Sequence, residues 1–545
     1  APAASRASGR RGFDPVWPAA IAALICAAPL MAVAALAVFG DWTDYLAHIA
    51  ATRLPDYLIN TALVGGSAAL VAGVGGTLAA WIVARYRFFG RGAFEWLLAL
   101  PLAMPAYAAA YAWFDLTQAA GPWSALPTVR GPLGAGLIFG FTLYPYVYLL
   151  AREAFAGQSS DAYDAARTLG AGPVGAFART ALPMARPAIA AGLALVVMES
   201  LADYGAVVHL GAPTLSVGLV RAWAGEGSSP DAARLAVTLV AIAFLIFAVE
   251  RAQRRRARQS AASGRRRPPR RVSLSAPRAA LAVTLCLIPL AAGLLIPMGR
   301  LAVLAIDADV ARGLADAARH SITLAVITGT IAAGFGLAAA YALRTGRAAA
   351  GIAARLAGLG YAVPGAVAAL GVLIIAGLAQ SGLDAVWTAL TGSPFPVLLT
   401  AGAATLIFAY LSRFAAAAIG PSESALSRVT PALDGAARTL GASRLRILSR
   451  VHWPLVSSGA LLAGLLVFVE VLKELPATMI LRPFNFDTLA VTAHNYASDE
   501  RLGEAALPAL LIALICLPAM IWIARRITKA ERAREAAAPG GPEAA

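Results

Sequence analysis

The chain contains very little lysine. Of its 45 basic residues only Lys473 and Lys529 are lysines, and the rest are arginines. A phosphate-binding P-loop has the pattern GxxxxGK[ST], in which a glycine precedes the lysine. Leu472 precedes Lys473 and Thr528 precedes Lys529, so the sequence excludes this ATP-binding motif. Any ATP hydrolysis linked to this chain is therefore expected from another polypeptide.

Cysteine and histidine are also scarce. The three cysteines lie inside apolar stretches, and the five histidines are scattered singly without an HExxH spacing. A thiol in apolar sequence usually packs as a small hydrophobic side chain, and an isolated histidine is more often structural than a metal ligand. We therefore expect no disulfide framework, no metal site and no cofactor bound by this chain.

Charged residues make up only 14% of the chain, whereas hydrophobic residues make up 59% and the mean hydropathy is +0.70. This composition excludes a soluble globular protein. Twelve apolar stretches have about the 20 residues that a helix needs to cross a bilayer. The sequence therefore predicts an all-α polytopic membrane protein embedded in a lipid bilayer. The twelve predicted spans are 16–39, 58–84, 94–114, 131–151, 186–210, 234–250, 279–305, 320–343, 355–379, 396–418, 455–481 and 505–525.

Arginine is distributed unevenly between the loops. The loops after the second and eighth spans are basic, and residues 251–271 contain no acid, whereas the first, seventh and eleventh loops are acidic. Because basic loops stay on the cytoplasmic side, both termini are expected in the cytoplasm.

The Arg-rich segment 251–271 allows two interpretations. It could bind nucleic acid, but no aromatic residue lies between its arginines. Its Pro, Ser and Gly content favours a disordered tether near anionic lipid, so we expect no nucleic-acid partner. The N-terminal residues 1–15 form a second basic arm, and the apolar stretch after them is longer than a signal-peptide core, which favours a retained anchor.

One polar sequence occurs twice, 271 residues apart. DAARTLGAGPVGAFARTALP at 164–183 corresponds to GAARTLGASRLRILSRVHWP at 435–454. Residues 57–87 likewise resemble residues 318–347. We infer a tandem duplication of a six-span unit, with both units parallel about an axis along the membrane normal. The predicted organisation is an arm at 1–15, a first repeat at 16–250, a linker at 251–278, a second repeat at 279–526 and a tail at 527–545.

Each copy follows the fourth span of its repeat, in the predicted cytosolic loops 153–183 and 423–454. A pair of small residues in each copy allows close approach of another surface, and a glycine then suits a left-handed helix stop. A proline precedes the next span. The pattern predicts a helix-turn-helix knob in each loop. The alternative is an amphipathic surface helix without a partner.

These loops resemble the EAA loop of binding-protein-dependent ABC importer permeases, whose pattern is E-A-A-x3-G-x9-I-x-L-P. The resemblance implies a coupling helix that docks on a cytosolic ATPase. Asp164 replaces the usual Glu, whereas Gly435 supplies no acid although Asp434 is adjacent, and Trp453 replaces a Leu. The residues that the resemblance assigns to ATPase coupling are Asp164, Ala165, Ala166, Arg167 and Gly170, and Ala436, Ala437, Arg438 and Gly441.

Charged residues lie well inside only two predicted spans, the fifth and the eleventh. Glu199 and Asp203 have the i, i+4 spacing, and Glu470 and Glu474 repeat it 271 residues later. This spacing predicts that each pair shares one helix face, turned toward the bundle interior or water because a carboxylate in hydrocarbon is costly. The four acids are either oxygen ligands or an electrostatic funnel for a cation such as Fe3+, or they pair with Lys473 and backbone groups as gate and packing elements.

ESLADYGAV in the fifth span and EVLKELPATMILRPFNFDTLAV after the eleventh are similar to ferric-iron importer permeases. That resemblance implies a periplasmic solute-binding protein and two copies of an ATPase that bind ATP and Mg. Fused thiamine permeases share this architecture. A secondary transporter driven by an ion gradient is a third possibility, and a membrane-embedded assembly or signalling subunit is a fourth.

Overall fold

The computed structural model describes residues 16–158, 161–260, 271–310, 312–344, 351–353, 357–358, 360 and 363–536. In this part of the chain almost all regular structure is helical, which confirms the predicted all-α class. The helices of the first half are α1 (Val16–Phe39), α2 (Asp44–Thr52), α3 (Leu54–Arg85), α4 (Arg91–Leu97), α5 (Ala106–Thr117), α6 (Gly131–Ala156), α7 (Asp161–Thr168), α8 (Pro173–Ala176), α9 (Leu182–Ala202), α10 (Gly205–His209), α11 (Leu215–Ala224) and α12 (Ser229–Ser260). Those of the second half are α13 (Ala276–Leu290), α14 (Ile296–Ile306), α15 (Leu314–Arg344), α16 (Gly365–Thr391), α17 (Ala403–Leu426), α18 (Pro431–Thr439), α19 (Arg444–Ile447), α20 (Trp453–Lys473), α21 (Pro476–Leu481), α22 (Leu489–Ser498) and α23 (Leu502–Ala536).

Ten helices in the described residues are long and apolar enough to cross a membrane, and the number is twelve if each of two bent helix pairs is one span. One bent pair joins α1 to α2 at 98°. The other joins 91–103 to α5 at 91°, so the predicted third span at 94–114 is sharply bent and is either a broken span or a re-entrant loop. Pro105 explains this break, since proline cannot donate the hydrogen bond that would continue the helix.

The two halves pack in the same way. In the first half α3 packs against α6 and α9, and in the second half the equivalent α15 packs against α17 and α20. The first span of each half packs on the other half, because α1 contacts α15, α16 and α17, whereas α14 contacts α5. The Trp113 indole N–H donates to the Ala292 carbonyl at 3.0 Å across this second contact.

The equivalent helices α6 and α17 end at the same side of the bundle. Glu153 near the end of α6 and Arg428 just after α17 line one cavity of about 220 Å3, together with Ser458 and Arg526. The two halves therefore run in the same direction, as predicted. We call this end of the bundle the loop side, because each of these two helices leads directly into one of the duplicated segments.

The fifth and eleventh spans begin earlier than predicted. The helix that contains α9 starts at Pro173, and the one that contains α20 continues back to Leu445. Each passes through a π-helical turn, at Phe177–Ala181 and Leu448–His452, just before Pro183 and Pro454. A wider turn accommodates a proline that would otherwise clash with the preceding turn. These prolines therefore lie inside a continuous helix and do not begin the span.

The Arg-rich linker is only partly described. Its first residues, up to Ser260, continue α12, so the expectation of a disordered tether from residue 251 is wrong for this stretch. Near its end, Val272–Ser273 pairs in parallel with Tyr86–Arg87, the residues that follow α3. The basic arm 1–15, linker residues 261–270 and tail residues 537–545 lie outside the described residues.

Candidate functional site: two matched loops and a charged cavity

The two duplicated segments fold alike. Gly170 and Gly441 both adopt left-handed backbone conformations, with φ of 88° and 74°. The N–H of Ala171 donates to the Ala166 carbonyl at 3.0 Å. The N–H of Ala442 donates to the Ala437 carbonyl at the same distance. This bond pattern closes the C-terminus of a helix at a glycine. The predicted left-handed stop is therefore present in both loops.

An ion pair anchors each loop to the preceding long helix. Arg85, the last residue of α3, contacts Asp164 at 2.8 Å, and Arg344, the last residue of α15, contacts Asp434 at 2.9 Å. The acid that corresponds functionally to Asp164 is thus Asp434, although the fixed spacing aligns Asp164 with Gly435. Both carboxylates hold their loop against the bundle.

The remaining anchor contacts differ between the loops. In the first, the Arg85 guanidinium lies 4.6 Å from the centre of the Tyr163 ring. In the second, His452 Nε2 lies 2.6 Å from Asp434 Oδ1, and His452 Nδ1 lies 2.7 Å from the Tyr341 hydroxyl. The two loops are therefore equivalent in backbone but not in the side chains that support them.

The predicted coupling residues mostly face outward. Ala166 and Ala437 are half-buried, whereas the other seven, Asp164, Ala165, Arg167, Gly170, Ala436, Arg438 and Gly441, are exposed. Arg167 is not free to extend fully, since its Nη1 donates to the Ala171 carbonyl at 2.6 Å.

Sequence reasoning missed the most exposed apolar side chains of these loops. Leu169 and Leu440, which occupy equivalent positions, are 88% and 86% exposed. Val174 and Leu445 form a second matched pair on the far side of each glycine turn. On a polar loop, apolar side chains this exposed at matched positions favour a surface that a partner covers. The ARTLGA repeat itself contained this signal.

The four predicted acids lie together between the two halves. Glu199, Asp203, Glu470 and Glu474 all line one cavity of about 80 Å3, which has room for a small ion and a few waters. Tyr107 and the turn at 102–106 close another wall of this cavity. The site is therefore formed where α9 and α20 end.

The prediction that each acid pair shares one helix face is wrong, because both helices end between the two acids. α9 ends at Ala202 and α20 at Lys473, so Asp203 and Glu474 lie in breaks before the short helices α10 and α21. Each acid caps the helix that follows: Asp203 Oδ1 accepts from the Ala206 N–H at 2.8 Å, and Glu474 Oε1 accepts from the Ala477 N–H at 3.2 Å. These carboxylates satisfy N–H groups that a helix start leaves unpaired.

The cavity also contains two cations. Lys473 Nζ lies 3.1 Å from Glu470 Oε1 and donates to the Leu102 carbonyl at 3.1 Å. Arg413, in the middle of α17, contacts both Glu199 and Glu474. The expectation that only the fifth and eleventh spans carry charges well inside them is therefore wrong. Four carboxylates against two cations leave the cavity wall negative, which favours a cation over an anion.

A buried aromatic and histidine group lies next to the cavity. Tyr204, adjacent to Asp203, packs against His494 with ring centres 5.8 Å apart. Burial lowers the pKa of His494, which lies in α22 between two spans, to about 4, so this ring is neutral at physiological pH. Among the described residues, no group of three or more His, Cys, Asp or Glu side chains is arranged to hold a metal ion. The four carboxylates are thus spread along the cavity and do not form a closed metal centre.

Parts of this sequence are similar to known proteins. Residues 75–259 match the family model described as the binding-protein-dependent transport system inner membrane component. The chain is 31% identical over 193 residues to the sulfate transport system permease protein CysT of Escherichia coli, an alignment that covers 34% of this chain and 70% of that protein. The chain belongs to the family of binding-protein-dependent ABC importer permeases. The predicted resemblance is thereby confirmed at the level of the family.

Other relatives of this permease are named for different cargoes. It is 28% identical over 194 residues to the Fe(3+)-transport system permease protein FbpB 2 of Haemophilus influenzae, covering 36% of this chain and 37% of that protein. It is 29% identical over 153 residues to a probable molybdenum ABC transporter permease protein of Haloferax volcanii, covering 28% of this chain and 57% of that protein. Because the alignment covers only 37% of FbpB 2, this similarity does not identify iron as the cargo.

Proposed function

We propose that this permease carries ferric iron across the bacterial inner membrane in an ATP-driven importer. A periplasmic binding protein delivers the cargo, and two copies of a separate ATPase dock on the loop side, one at each duplicated loop. Both chain termini then lie in the cytoplasm. Closure of the ATPase dimer pushes the two loops together, and the anchored helices α3 and α15 transmit this movement to the bundle.

The observation that carries the cargo assignment is the cavity between α9 and α20. Its four carboxylates supply hard oxygen atoms, the ligand type that suits a hard, highly charged cation. They come equally from both halves, so a rocking motion of one half against the other changes their separation. A cation held between them is accordingly passed along as the halves move.

An oxyanion is the second candidate cargo. Arg413 and Lys473 lie in the same cavity, and the sulfate permease CysT is among the relatives. Both cations are paired with carboxylates and are outnumbered by them, so the net negative charge of the wall weakens this alternative. Thiamine remains the alternative that shares the fused architecture.

The test is uptake into vesicles that contain the permease, its ATPase and its binding protein. We expect ATP-dependent uptake of labelled ferric iron and none of labelled thiamine, sulfate or molybdate. An ATPase variant that cannot hydrolyse ATP should abolish uptake, whereas a gradient-driven carrier would continue. Uptake of sulfate or thiamine without iron would refute the cargo assignment.

Gly441→Ala is expected to reduce ATP-driven uptake about tenfold. A Cβ destabilises the left-handed conformation by about 1–2 kcal/mol. The turn is therefore displaced from the geometry that docking requires. No neighbouring atom lies near the added Cβ, so the effect comes from the backbone alone. Gly420→Ala in α17 is the matched control, because Gly420 is also in open space but has an ordinary helical conformation. Equal uptake by the two variants would show that the turn is not needed.

A further inference from the structure

Arg413 connects the two halves of the permease. Its Nη2 lies 3.0 Å from Glu199 Oε2, on α9 of the first half. Its Nη1 contacts Glu474 Oε2, in the second half. The side chains are 8%, 15% and 4% exposed for Arg413, Glu199 and Glu474. This guanidinium is therefore a buried bridge between acids that α9 and α20 bring to the same cavity.

The second-half side of this bridge is held rigidly. Glu474 accepts a hydrogen bond from the Ala477 N–H, so the restart of the helix fixes its carboxylate. Gly365 packs directly against the pair, since a Cβ there would lie 2.1 Å from Glu474 Oε1 and 3.1 Å from Arg413 Nη1. The guanidinium also lies 4.8 Å from the centre of the Phe414 ring. Within this bridge, movement between the halves accordingly breaks the contact with Glu199 before the contact with Glu474.

The bridge does not follow the internal symmetry of the chain. The acids repeat at a spacing of 271, but the residues 271 positions before Arg413 and Lys473 are Thr142 and Ala202. Both cations of the cavity therefore come from the second half, while the acids come from both. Within this cavity Arg413 is thus the arginine that pairs with acids of both halves, and residue 142 at the matched position is a threonine. Elsewhere Arg300 also pairs with Asp115 of the other half, and Lys473 donates to the first-half Leu102 carbonyl.

We propose that Arg413 acts as a latch, because its ion pairs with Glu199 and Glu474 hold the two halves together. A highly charged cation releases this latch by binding the two carboxylates in place of the guanidinium. Separation of the halves requires the guanidinium to leave Glu199. A trivalent cation compensates two carboxylates at once, whereas a monovalent cation does not replace the charge-assisted bonds that it would break. Arg413 then determines which cargo charge opens the path. The identity of the cargo rests on the proposed function, but the latch itself does not.

The latch is tested with the permease alone in vesicles, without ATPase or binding protein. Arg413→Gln is expected to raise the leak of potassium ions and protons about tenfold, because the closed arrangement loses the ion pair that joins the halves inside the cavity. Arg319→Gln is the matched control, since Arg319 forms an exposed ion pair with Asp316 on α15 and is expected to leave the leak unchanged. A folded Arg413→Gln variant with the leak of the unchanged permease would overturn the proposal.

Three further variants keep the test decisive. Arg413→Gln leaves Glu474 buried without this cation, so Arg413→Gln/Glu474→Gln removes the charge pair together and is expected to leak as much. Glu199→Gln is expected to give the same leak, and Arg413→Gln/Glu199→Gln no more than either single variant, because all three break one contact. A leak in Arg413→Gln/Glu199→Gln that equals the sum of the two single-variant leaks would contradict the latch. If iron is not the cargo, these leak results are unaffected and only the iron-uptake assay fails.

Discussion

Leu440→Asp is expected to weaken association of the permease with its ATPase about 10- to 100-fold, because burying one leucine stabilises an interface by about 1.5–3 kcal/mol. The double variant with Leu169→Asp is expected to abolish ATP-driven uptake. Both leucines occupy the same position beside a left-handed glycine, and each is more than four-fifths exposed. A charged side chain at that position would have to be desolvated without a partner in any apolar groove.

The measurement is capture of purified ATPase by the detergent-solubilised permease. Phe484→Asp is the matched control, because Phe484 is 92% exposed but lies between α21 and α22 and outside both loops. We expect this control to capture ATPase as well as the unchanged permease does. Full capture by the double leucine variant would exclude the loops as the docking surface.

The sequence predicted the loops well because duplication marks them. A glycine that recurs at a fixed spacing in two polar segments indicates that both segments need a left-handed backbone conformation there, and both adopt it. The anchor of the second loop was less predictable. Alignment pairs Asp164 with Gly435, whereas contact with the end of α15 depends on how α18 is rotated, and that places Asp434 next to Arg344.

The cavity was predicted in composition but not in geometry. Gly205 is a weak stop signal, but the apolar residues on both sides of Asp203 predict one continuous span, so the end of α9 at Ala202 is not evident from the sequence. The break follows from tertiary packing and from the carboxylate that caps α10. Arg413 was missed because no charged residue lies one helical turn from it in the sequence, and its partners lie 61 and 214 residues away.

Glu470→Gln is expected to reduce uptake of ferric iron about 100-fold. At a separation of about 8 Å and an effective dielectric constant of about 20, one carboxylate attracts a trivalent ion by about 6 kcal/mol, and water in the cavity reduces this by about half. A neutral cargo would lose little from the same change. Uptake of an oxyanion would instead increase, because the wall would become less negative. The sign of the effect on labelled iron and labelled sulfate uptake therefore reports the charge of the cargo.

Glu470→Gln/Lys473→Gln separates the two ways in which this carboxylate can act. The double variant removes the carboxylate and its 3.1 Å partner, so the net charge of the cavity returns to its original value. If the acids attract the cation through their summed field, uptake of iron should recover to within about tenfold of the unchanged permease. Recovery is the expected result, because the carboxylates are spread along the cavity wall and α9 and α20 present them from opposite halves. Loss of uptake in both variants would mean that Glu470 binds the ion directly, and that the field of the remaining acids is too weak to draw the ion in.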